Sequence, residues 1–276
     1  MSIYLNLIQK KLKIKLLILI AILFIACDPE SAVNPKAKTN KLSIEFQHFI
    51  ADSLLVLNSS TYSNSLEQNF TVDKFNYFIS NIILEKTDGT TFTVPQDSSY
   101  FLIKTSNKAS QKITLFNIPI GNYQKIKFTI GVDSARSCMP ASFRKGSLDV
   151  GGAAADMYWT WNTGYIFLKL QCMPIIPKGG DSSAAIPYVY HIGGFGGLNN
   201  PTLNNIREVN LNFNTTLPLT ENSTTAKIII KTDALKVLEG STQVNLATTP
   251  TVMLTPFSAN IANNYQNMFS IIQIIN

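Results

Sequence analysis

A chain of 276 residues with 23 basic and 17 acidic side chains carries a formal charge of +6, and 45% of it is hydrophobic. Only 14% is charged, which excludes a disordered polyelectrolyte and leaves material for a sizeable core. Four lysines lie within the first 26 residues, which hold no acid; the rest balances 19 basic against 17 acidic residues, so no basic cluster interleaved with aromatics survives and nucleic acid is excluded as a partner.

Lys10, Lys11, Lys13 and Lys15 precede an apolar run, Leu16 to Ala26, and then Cys27. About 20 apolar residues are needed to span a bilayer, so this shorter run reads as a secretory signal over residues 1–26. Phe24-Ile25-Ala26-Cys27 resembles the lipobox of bacterial lipoproteins, in which the chain is cut before a cysteine that is then acylated. The expected product is held to a membrane by lipid on Cys27 in the cell envelope of a Gram-negative bacterium, at the outer membrane or cell surface or in the periplasm. Residues 27–40 follow as lipidated cysteine and flexible tether, and 41–276 as one domain.

Within that domain short strand signals recur: 42–46, 74–79, 82–85, 113–115, 125–130, 165–170, 209–213 and 226–231. Several alternate apolar with polar, the pattern of half-buried strands, and turn residues such as Asp88-Gly89 separate them. One helix-compatible stretch, Asp233 to Glu239, starts on an Asp and stops before Gly240. The expectation is an all-β fold, an antiparallel β-sandwich with long irregular loops. The two longest loops, 131–157 and 173–197, flank the run Met157 to Phe167, which holds both tryptophans, Trp159 and Trp161. Strand alternation would put both indoles on one face.

Beyond Cys27 the cysteines are Cys138 and Cys172, each followed by Met-Pro. In an oxidising compartment the pair suggests a disulfide, contributing about 3 to 4 kcal/mol on the chain-entropy model. The alternative is a soft sulfur site for Cu(I). The two histidines, His48 and His191, have no short metal-ligand spacing, but His48 ends the first strand and His191 opens Ile192-Gly193-Gly194-Phe195-Gly196-Gly197. Asp133, Asp149 and Asp156, in or beside the first long loop, are candidate calcium ligands. No G-x-S-x-G elbow is present and two histidines leave little choice of base, so the expectation is not an enzyme.

Taken in order, Phe46-Gln47-His48, Phe75 to Ile82, Pro119 to Tyr123, Gly131-Val132-Asp133-Ser134, Leu148-Asp149, Met157 to Phe167 and His191-Ile192-Gly193-Gly194 resemble the MbnP-like (MopE/CorA-type) copper-binding proteins. The resemblance implies a β-sandwich and copper, held by histidine together with a tryptophan oxidised to kynurenine by a dihaem cytochrome c peroxidase-like partner. Carried over by motif, it makes His48 and His191 the imidazole ligands and Trp159 or Trp161 the modified residue. The implied function is copper uptake, storage or handling, Cu(I) being the expected ion. The other reading of the same residues is a non-catalytic surface module that binds a protein or glycan without metal.

Overall fold

The computed structural model describes residues 37–162, 164–176, 179 and 185–276. The expected signal and the lipid-bearing Cys27 lie outside the described residues. Residues 38–276 form one compact unit.

Its strands are β1 (Thr39–Ile50), β2 (Ser53–Leu54), β3 (Tyr62–Ser63), β4 (Asn69–Lys86), β5 (Thr91–Thr93), β6 (Tyr100–Lys104), β7 (Lys112–Pro119), β8 (Gly121–Ile130), β9 (Tyr158–Trp159), β10 (Gly164–Pro174), β11 (Tyr188–Gly193), β12 (Arg207–Leu219), β13 (Lys227–Asp233), β14 (Thr251–Val252) and β15 (Phe269–Ile275). The smaller sheet runs β15-β13-β1-β2, with β7 also on β1; the larger runs β12-β8-β4-β10-β11-β14, with β3, β5 and β6 on β4 and β9 on β10. The all-β sandwich expected from the sequence is what forms. It is mixed rather than purely antiparallel, because β1 and β13 pair in parallel at the centre of the smaller sheet.

Alternation explains how the layers meet. In β1 the residues Leu42, Ile44, Phe46, His48 and Ile50 are all buried, and the large sheet answers from its inner face with Phe75, Tyr77, Leu168, Leu170, Cys172, Tyr190 and Ile192. The opposite, outer face of the large sheet carries a second apolar cluster that includes Phe78, Met157, Trp159, Tyr165 and Phe167. The expected loop 131–157 supplies part of this cover, which is why β4 is buried on both faces from Phe75 to Ser80.

Several sequence readings shift here. The two expected strands 74–79 and 82–85 belong to one strand, β4, kinked where Asn81 takes a positive φ of 52°. The expected loop 173–197 contains β11. The expected helix 233–239 is a single 3-10 turn, Ala234–Val237, capped by the Asp233 carboxylate accepting from the Leu235 N–H.

Candidate functional site

The sheet separates the two histidines. His48 points inward from β1 and is 3% exposed. Its Nδ1 lies 2.7 Å from Thr105 Oγ1 and its Nε2 3.0 Å from the Tyr77 hydroxyl, with the Phe75 ring edge-on at 5.2 Å. Thr105 spends its proton on the Phe75 carbonyl at 2.8 Å, so it accepts from His48 Nδ1–H. Nε2 is then the acceptor of the Tyr77 proton, and Tyr77 in turn accepts from Thr232 Oγ1 at 3.1 Å. Both ring nitrogens are committed, although the residue borders a hollow of about 730 Å³. Burial, with Lys108 nearby, holds its pKa down to about 3. The structure does not bring His48 and His191 together: His48 is buried between the sheets among Phe75, Tyr77 and Thr105, and the two imidazoles lie on opposite sides of the large sheet.

His191 follows from the β11 register. Tyr190 and Ile192 face inward, so His191 faces outward, in a row with Lys169 of β10, Asn76 of β4 and Lys104 of β6. Its Nε2 is 3.1 Å from Gln171 Nε2, an amide that can only donate, so the imidazole is neutral with its lone pair on Nε2. Burial and the charges of Lys169 and Lys74 lower its pKa to about 4. The row is roofed by the preceding loop: Lys104 donates to the Ala153 carbonyl at 2.8 Å, Lys74 meets the Asp156 carboxylate at 2.9 Å, and buried Lys169 donates to the Asp156 carbonyl.

The tryptophan segment is a hairpin rather than one strand: Trp159 pairs with Gly164 and Tyr158 with Tyr165, so the chain reverses between Trp159 and Gly164. The two rings still touch, at 5.6 Å between centroids. Trp159 is 5% exposed, Trp161 65%. Trp159 covers Gly193, two residues from His191 on the same face; a Cβ at Gly193 would stand 2.7 Å from Trp159 Cζ3 and 2.2 Å from the Tyr165 carbonyl oxygen. The Trp159 Nε1–H is buried without an acceptor among the described residues, an arrangement that costs about 1–3 kcal/mol. Trp159→Ala should therefore destabilise by about 3 kcal/mol and Trp161→Ala by less than about 0.5, measured by urea unfolding.

On the other side of the hairpin lies a recess of about 530 Å³ lined by residues that include Arg144, Tyr165, Phe167, Phe195, Leu203 and Leu254. Nothing in composition or spacing marked Arg144; its position depends on a loop fold that only the tertiary structure provides.

The remaining expected sites come apart. Cys138 is exposed on the outer-face loop and Cys172 is buried on the inner face of β10, so the expected disulfide does not form and both are free. Burial pushes the Cys172 thiol pKa up, leaving a protonated, unreactive group. The expected calcium carboxylates serve separate donors: Asp133 accepts from the Arg136 N–H and from Asn81, Asp149 from the Gly151 N–H, and Asp156 from Lys74. Among the described residues no three His, Cys, Asp or Glu side chains come together as a metal cluster.

No curated protein matches the chain. Among solved structures it is similar to MbnP from Methylosinus trichosporium, at 15% identity and a TM-score of 0.49 over 75% of this chain and 80% of that one. The MbnP family model matches residues 39–254, from the first residue of β1 to beyond β14. The match takes in the tryptophan hairpin and both histidines, and on its extent the chain belongs to the MbnP family.

Proposed function

We propose that this is an exported, lipid-anchored protein that handles copper, and that it does so from the outer face of the large sheet. The observation that carries the reading is the meeting of Trp159, through Gly193, with the strand that presents His191 as a neutral imidazole. Imidazole and Cu(I) are compatible partners, and a pKa of about 4 keeps the ring free of competing protons through the neutral range. One histidine is a sparse donor set. Oxidation of Trp159 to kynurenine would add the amine and carbonyl that indole lacks, and the exposed Trp161 would meet the dihaem partner that performs it. His48 takes no part. Copper is cargo in this reading, and the protein is not an enzyme.

Protein purified from its native host, with copper quantified and the peptide holding Trp159 and Trp161 examined by mass spectrometry, tests this. The expected result is copper together with kynurenine at one tryptophan. Two unmodified tryptophans without copper, even after growth in copper, would favour the metal-free binding module. That second reading has its own support: Phe143, Trp161 and Leu198 are all large apolar side chains left exposed by the loops of this face.

A further inference from the structure

Among the described residues that line the recess beside the tryptophan hairpin, one is charged, Arg144. Its Nε donates to the Met139 carbonyl and its Nη2 to the Ser137 carbonyl, both at 2.8 Å. The guanidinium also lies over the rings of Tyr158 and Tyr165, each at 5.3 Å. These contacts hold the group in one orientation without neutralising it: among the described residues Arg144 meets no carboxylate, and its Nη1 is buried with no acceptor. Arg136, on the same loop, differs in that it is paired with Asp97. The wall is mixed: Phe167, Phe195, Leu203 and Leu254 supply its apolar part, and Ser137, Asn162 and Thr202 polar edges.

We infer that the recess binds a small organic carboxylate, with its anionic end on Arg144 and its apolar body between the aromatic and leucine walls. A fixed cation that meets no carboxylate among the described residues favours an anion, because a carboxylate oxygen can accept from Nη1, the guanidinium nitrogen that the loop carbonyls leave without a partner, while the apolar part of the wall sheds water from the rest of the ligand. A single cation suits one negative charge; a phosphate dianion would find no second among the described residues. The site uses neither His191 nor a modified tryptophan, so it stands or falls separately from copper handling.

The test uses metal-free purified protein and the probe 3-phenylpropanoate, with 3-phenylpropanol as its neutral match, followed by calorimetry. The carboxylate is expected to bind about tenfold more tightly than the alcohol. Arg144→Met should erase that difference, and Leu203→Trp, which fills the recess and leaves the guanidinium in place, should abolish binding of both. Because Arg144→Met also removes the ties to residues 137 and 139, its fold is checked by circular dichroism, and the Leu203→Trp result stands without it. Equal binding of acid and alcohol by the unaltered protein, or no saturable binding of either up to about 10 mM, overturns the inference.

Discussion

His48→Ala is expected to lower the unfolding free energy by about 3 kcal/mol at pH 7.5, read from urea denaturation, while leaving copper stoichiometry unchanged. The substitution empties a buried ring site against Phe75 and Tyr77 and removes both the acceptor of the Tyr77 proton and the donor to Thr105 Oγ1. Leaving buried donors and acceptors unmet is what makes such losses large. The same network predicts acid sensitivity. The folded pKa of His48 is depressed to about 3, against about 6.5 in an unfolded chain, so between those values the unfolded state binds the proton and the folded state does not. Its contribution is complete above about pH 6.5 and is lost on acidification towards pH 3, at up to about 1.4 kcal/mol per pH unit. His191, also depressed, acts in the same direction. Chemical denaturation of wild type and His48→Ala from pH 7.5 to 4.5 should show the wild type losing more stability than the variant; parallel curves would remove His48 from the acid response.

Gly193→Ala carries the second large effect, and its cause is steric. The added methyl would press on the Tyr165 carbonyl oxygen at 2.2 Å, a backbone atom that cannot swing away, and on the Trp159 ring. Separating β10 from β11 there, or expelling the indole, are the ways to relieve it. A loss of about 3 kcal/mol is expected, with a red shift of tryptophan emission as Trp159 meets water. An alanine variant with wild-type stability and emission would mean that the ring does not rest on Gly193.

These two residues show what the sequence disclosed and what it hid. Alternation in β1 correctly set Leu42, Ile44 and Phe46 on one face, because period two is a local property. The same alternation places His48 with them, in the core, while the position of His191 depends on β11, a strand hidden in what reads as a glycine-rich loop. That the imidazoles face away from each other follows only from the pairing of β11 with β10 and of β10 with β4, a long-range register that no motif encodes. The tryptophan hairpin is hidden for a nearer reason. The sequence between Trp159 and Gly164 lacks an Asn-Gly or Asp-Gly signal, so Met157 to Phe167 reads as one strand when its ends pair as a hairpin. Cys138 and Cys172 looked paired by count, and the sheet between them keeps them apart.

We propose that the outer face, through His191, is the working face of this MbnP-family member; His48 is buried in the core. Competitive Cu(I) titration of native-host protein, wild type beside His191→Ala and His48→Gln, tests it most directly. His191→Ala is expected to lose stoichiometric binding while His48→Gln, though less stable, keeps it; loss in the folded His48→Gln protein with retention in His191→Ala would contradict the assignment.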